Sequence, residues 1–240
     1  QNLIYLTYLA ELLPLILCFI FLRKIKSTEL KVFFYYEISL AFFLPLSLYF
    51  GLVLRNHGYQ LIVNRIFLVS EFIFLSYLYN SVLVLKNKKI IFISAATVFL
   101  LYSAYDLYIN KPDEFNFILL VVECLFFLLV IIYYLYEKIQ YHISSPLYIS
   151  TGFWIALGFL IYFSGNFFLF LFSKTMFKEP DFKFQYTIIY NTVTILKNIF
   201  LCTAVIVNAN TFSEEKSKDL PIDIDLDTFN PLANNTQTNH

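Results

Sequence analysis

The chain has 240 residues, of which 59% are apolar and 14% charged, and its formal net charge is zero. A soluble domain carries about a quarter charged residues and a little under half apolar ones, so a single soluble core cannot absorb this excess. The balance also leaves no basic surface for nucleic acid, and Cys18, Cys124 and Cys202, far apart inside apolar runs, are not a disulfide framework.

A helix needs about 20 apolar residues to cross the hydrocarbon core of a bilayer. Seven stretches qualify: Leu3 to Phe21, Val32 to Leu54, Tyr59 to Leu85, Ile90 to Tyr108, Phe117 to Tyr136, Thr151 to Phe172, and Phe184 to Val207. The expected fold is therefore all-α, a polytopic membrane protein built as a seven-transmembrane-helix bundle over residues 1–207. The first run has no basic flank before it and no small-residue cleavage site after it, so it reads as a retained span and not a signal peptide. Pro14 and Pro45 fall inside the first two spans and are expected to kink them. The connections are short, which favours antiparallel neighbours.

Basic residues set orientation. Arg23, Lys24, Lys26, Lys31, Lys86, Lys88, Lys89, Lys138, Lys216 and Lys218 fall on one side, against Arg55, Lys111, Lys174, Lys178 and Lys183 on the other. The richer side is cytoplasmic, so the N-terminus is expected outside and the C-terminus in the cytoplasm, in a bacterial inner membrane.

Ionisable side chains inside such spans are costly, about 2.5–3.5 kcal/mol each on insertion scales, and normally face the bundle interior. Glu11, Glu37, Arg65, Glu71, Glu123 and Lys197 all lie within spans. Counted along straight helices, Arg65, Glu123, Asn166 and Asn191 form an outer layer. Glu11, Glu71 and Lys197 lie deeper, and Glu37 stands apart towards the cytoplasm. Thr187, Tyr190, Asn191, Thr194, Lys197 and Asn198 follow helical spacing and make one polar stripe on the last span. Lys197 is expected to point towards Glu11 or Glu71, and Arg65 towards Glu123. Four interior carboxylates then face two bases, so at least one, Glu37 or Glu11, is expected to carry a proton. The candidate polar core and ligand site is thus Glu11, Arg65, Glu71, Glu123, Asn166, Asn191, Lys197 and Asn198. On the sixth span Gly158 and Gly165 share a face, which predicts a close helix contact. Trp154 and Tyr162 are expected to anchor or pack more than to line a cavity.

From Asn208 the apolar pattern stops, and residues 208–240 read as a disordered, acidic cytoplasmic tail. Within it "LPIDIDLD" alternates, placing Ile222, Ile224 and Leu226 on one strand face that could add to a partner's sheet edge. His57, His142 and His240 are scattered and offer no metal-ligand spacing. No Ser/His or Cys/His arrangement is present either, so enzymatic activity is not expected.

Two resemblances follow from these residues. A lysine midway along the last of seven spans and an acid midway along the third resemble the layout of microbial rhodopsins, where that lysine holds retinal and the acid is its counter-ion. Val193 stands where the family has an aspartate, and the family's Trp/Tyr/Pro pattern in the sixth span is missing, so neither retinal nor another cofactor is expected. "FWIALGFLIYFSGNFFLF" and "TILKNIFLCTAVI" resemble segments of small seven-helix bacterial inner-membrane proteins, some of which accompany two-component sensor kinases. That resemblance implies a sensor or signalling accessory that binds a small ligand or senses pH through its polar core and touches a cytoplasmic partner through its tail. The competing expectation is a small proton-linked transporter, with lipid processing or retinal binding further behind.

Overall fold

A computed structural model describes residues 2–25, 27–109, 117–141, 146–176 and 179–218. Among these residues there is no strand. Seven α-helices account for nearly all of them: α1 Asn2–Ile20, α2 Thr28–Leu48, α3 His57–Val82, α4 Lys88–Ile109, α5 Phe117–Tyr141, α6 Thr151–Met176 and α7 Pro180–Lys218. Six of the seven are long and apolar enough to cross a membrane. The exception is α1, whose apolar stretch, Tyr5–Ile20, is shorter than the rest. The chain is thus an α-helical bundle with the make-up of a multi-pass membrane protein. Its outer surface agrees, since Leu9, Phe42, Ile93, Leu129 and Phe168 each expose more than half their area. A coat of that kind suits acyl chains rather than water.

Local signals set the helix ends. Ser27 Oγ accepts a hydrogen bond from the Leu30 amide at 3.2 Å and starts α2, and Asn56 Oδ1 accepts from the Tyr59 amide at 3.1 Å and starts α3. The turn between α3 and α4 passes through Asn87 at φ 65°, a left-handed conformation that asparagine tolerates better than most residues. Neither Pro14 nor Pro45 ends its helix. Just beyond Pro45, however, α2 widens into a π turn over Tyr49–Val53. There Gly51 lies against the Gln60 side chain, which occupies the space a Cβ would need.

The helices close into a ring. α1 packs on α7 and α2, α2 on α3, α3 on α5, α5 on α6, and α6 on α7. α4 stands outside this ring, mainly against α3, so α4 and α5 are not the close sequential neighbours that short connections led one to expect. Rings fill the centre. Phe72 of α3 stacks on Phe99 of α4 with centroids 4.1 Å apart and meets Phe127 of α5 at 5.1 Å, and Phe127 stacks on Phe163 of α6 at 5.5 Å. The predicted glycine face is present: a Cβ on Gly158 would come 3.1 Å from the Lys197 carbonyl oxygen, and one on Gly165 would come 2.6 Å from Val193 Cγ2. Gly158 lets the α6 and α7 backbones approach, and Gly165 seats the Val193 side chain.

α7 does not end where the apolar pattern does. It continues from Val207 to Lys218, and the Asn208 amide donates to the Lys24 carbonyl oxygen at 2.9 Å, pinning it beside the turn after α1. The strand-like segment with Ile222, Ile224 and Leu226 lies outside the described residues.

Candidate ligand-binding site

Helical spacing on α7 delivers one buried face. Asn191, Thr194, Lys197, Asn198 and Leu201 are all buried, and Lys197 is only 3% exposed. Its ammonium lies 4.7 Å from the ring centroid of Tyr162 and 5.9 Å from those of Tyr36 and Phe159. These are cation–aromatic distances, worth about 2 kcal/mol or more when desolvated. Glu11, Glu37 and Glu71 all act electrostatically with Lys197. Among the described residues, however, none forms an ion pair with it within 4.0 Å. The lysine therefore sits in an aromatic nest with carboxylates around it at longer range.

The expected direction of Lys197, towards Glu11 or Glu71, matches this arrangement. The expected isolation of Glu37 does not, because Glu37 interacts with Lys197, Glu11 and Glu71 and belongs to the same cluster. Depth counting misplaced it: α2 begins at Thr28, four residues before the apolar run at Val32, so Glu37 lies more than two turns inside the helix. Glu71 Oε1 accepts a hydrogen bond from the Tyr36 hydroxyl at 3.0 Å. Glu123, 2% exposed, interacts with Glu71 across the bundle.

The expected Arg65–Glu123 pair is a correction. Arg65 Nη2 lies 3.1 Å from Asp106 Oδ2 of α4, both side chains being 2% exposed. Asp106 lies near the C-terminal end of α4, where it passes for a boundary residue. Its spacing could have exposed it, since Phe92, Phe99, Ser103 and Asp106 form the buried face of that helix. The remaining candidates divide. Asn191 spends its amide on the Thr187 carbonyl of its own helix at 2.5 Å. Asn166 is fully buried with neither side-chain polar atom hydrogen-bonded, and Asn198 Nδ2, Thr194 Oγ1, Glu11 Oε2, Glu37 Oε2 and Glu123 Oε1 likewise lack a protein partner. Buried polar atoms are normally satisfied by protein, water or ligand.

Beside this core lies a cavity of about 740 Å³, within the range of small-molecule sites. Tyr8, Phe43, Phe67, Tyr162, Tyr186 and Tyr190 supply much of its aromatic wall, and Ser47, Gln60 and Asn64 its neutral polar groups. Ser47 Oγ donates to Asn64 Oδ1 at 2.7 Å, joining α2 to α3 in that wall. Tyr186 and Tyr190 stack with centroids 5.9 Å apart and planes at 4°. Among the described residues Glu71 is the one lining residue with a carboxylate, and no lysine or arginine lines the cavity. The lining positions come from the start of α1, the end of α2, the starts of α3, α5 and α7, and α6 from its middle onwards. They gather at the end of the bundle that holds the N-terminus and reach inward as far as Glu71. Among the sixth-span aromatics, Tyr162 lines the cavity. Trp154 does not: it donates Nε1–H to the Tyr148 carbonyl at 2.7 Å and stacks on Phe200.

Among the described residues no group of three or more histidine, cysteine or acidic side chains is placed to hold a metal ion. No protein-family model, curated protein or solved structure matches the chain.

Proposed function

We propose that the protein is a ligand-binding sensor or signalling accessory of a bacterial inner membrane, with its N-terminus outside, its C-terminus in the cytoplasm, and all seven helices crossing the bilayer. The observation that carries this is the aromatic cavity running from one end of the bundle to Glu71, beside a buried charge cluster that every helix of the ring except α6 furnishes with an ionisable group. The excess of basic residues on the far side supports an outward opening. The shorter α1 requires local thinning of the bilayer or exposed flanking residues, a modest cost.

Signalling draws support from α7. This helix is 39 residues long, about 58 Å at 1.5 Å per residue, against about 30 Å of hydrocarbon. One uninterrupted rod therefore links Lys197 in the core to the segment beyond the membrane. A ligand that shifts Lys197 has a mechanical path to a cytoplasmic partner.

Two measurements test this. With Cys202→Ser as background, Gln60→Cys in intact cells is expected to react with a membrane-impermeant thiol reagent applied from outside; reaction only after the cytoplasmic side is opened would invert the topology. Cross-linking of the full chain, compared with a chain ending at Asn208, is expected to lose a cytoplasmic adduct on truncation. An unchanged adduct pattern would leave signalling without support.

The transporter reading rests on a different observation, the carboxylates of Glu11, Glu37 and Glu71 set around one lysine with Glu123 beside Glu71, the make-up of a proton relay. pH-driven uptake into liposomes that Glu71→Gln abolishes would favour it.

A further inference from the structure

The chemistry of the cavity narrows the ligand. Most of its surface is apolar and aromatic, so it accommodates a compact apolar body. One carboxylate, Glu71, stands at its inner end, with one oxygen accepting from Tyr36. Lys197 is not part of the wall; Tyr162 is, and its ring already holds an ammonium at 4.7 Å. Behind the wall Glu11, Glu37 and Glu71 share that one ammonium, and Glu123 lies within reach of Glu71. A cation entering beside Glu71 therefore meets a carboxyl group that can answer its charge and several π faces that favour it. The carboxylates are not grouped to chelate a metal ion. We infer that the cavity binds a monovalent organic ammonium, an amine or quaternary ammonium with a small apolar body, whose cationic head lies against Glu71 and the tyrosine rings. This deepens the ligand-binding function proposed above and rests on it.

The ammonium could come from a free amine or from a lipid headgroup. The full chain in nanodiscs of phosphatidylglycerol, which has no ammonium, is titrated calorimetrically with benzyltrimethylammonium and with its uncharged isostere neopentylbenzene. Saturable binding of the cation at least tenfold tighter than the isostere is expected. Glu71→Gln is expected to erase that preference. Tyr190→Leu, which leaves the Tyr36–Glu71 hydrogen bond in place, is expected to weaken the cation several-fold and the isostere less, so a misfolded Glu71 variant does not end the test. If both probes bind equally to all three proteins, the ammonium preference is overturned while the binding cavity stands. If neither probe binds the unaltered protein, the cavity is not a binding site and the function proposed above falls with it. Repeating the titration in phosphatidylethanolamine nanodiscs identifies the source: competition by the lipid assigns the headgroup, and an unchanged affinity assigns a soluble amine.

Discussion

Among the described residues the bundle buries basic groups in two regions, and they are built differently. In the first, Arg65 meets Asp106 at 3.1 Å and ties peripheral α4 to the ring. One acid answers one base in direct contact. In the second, Lys197 has rings at contact distance and carboxylates only at longer range, with an oxygen on each of Glu11, Glu37 and Glu123 left without a protein partner. The first region brings its two opposite charges into direct contact and does structural work. The second is incomplete without water or a ligand, and it borders the cavity. Burying a charge does not by itself mark a site; burying it without a close partner, beside open space, does.

The sharpest way to break that contrast is to remove half of the complete pair. Asp106→Asn leaves a buried guanidinium without its counter-charge and is expected to cost about 3–5 kcal/mol, read as a large drop in thermal midpoint in detergent. Arg65→Met with Asp106→Leu should recover most of the loss, because an apolar pair of similar volume carries no desolvation penalty. An unchanged midpoint for Asp106→Asn would put the pair outside the structural frame.

The next largest effect concerns what holds Tyr162 near Lys197. Gly165→Ala drives a methyl to 2.6 Å from Val193 Cγ2, and overpacking of this kind costs about 1–3 kcal/mol. Val193→Ala in the same chain should restore stability by making room. Failure of that rescue would mean that α6 and α7 are not held together at this contact.

How much of this was readable beforehand follows from what each feature requires. Long apolar runs make helices in a membrane whatever surrounds them, so the elements emerged from composition. Helix ends were less legible: α7 outruns Val207 by eleven residues because a polar helix forms as readily as an apolar one once its neighbours pin it, here through Asn208 to Lys24. Glu71 and Lys197 stood out because charge in mid-span has few tolerable locations. Asp106 did not, since a carboxylate near a span's end needs no partner to explain it, and Glu37 did not because α2 starts at Thr28, a full turn before its apolar run. The cavity wall was the least legible. Tyr8, Tyr162, Tyr186 and Tyr190 come from three helices, in a chain that is 20% aromatic, where no single ring stands out from its background.

A smaller change probes the incomplete region. Tyr36→Phe removes the hydroxyl that donates to Glu71 at 3.0 Å; hydrogen bonds to charged groups contribute about 1.5–3 kcal/mol, with the lower end expected where the freed oxygen borders a cavity that admits water. The same change leaves Glu71 less engaged by the protein. Affinity for benzyltrimethylammonium should therefore rise slightly or hold, even as the thermal midpoint falls. Parallel loss of both would mean that Tyr36 shapes the site itself.

The smallest stability effect, and the most telling, is expected at Lys197. Lys197→Met keeps a flexible apolar stem among the rings of Tyr36, Phe159 and Tyr162, and it breaks no ion pair within 4.0 Å among the described residues. It forfeits the cation–aromatic contact, about 2 kcal/mol, but it also removes the cost of holding an ammonium in the bundle, about 2.5–3.5 kcal/mol on insertion scales. The two nearly offset, so the thermal midpoint should move far less than for Asp106→Asn. Binding should change the other way from Glu71→Gln: with the internal cation gone, the carboxylates have only an incoming one to answer, and benzyltrimethylammonium should bind several-fold tighter. If Lys197→Met instead unfolds the protein as severely as Asp106→Asn does, the two regions are alike, and Lys197 is a structural tie like Arg65.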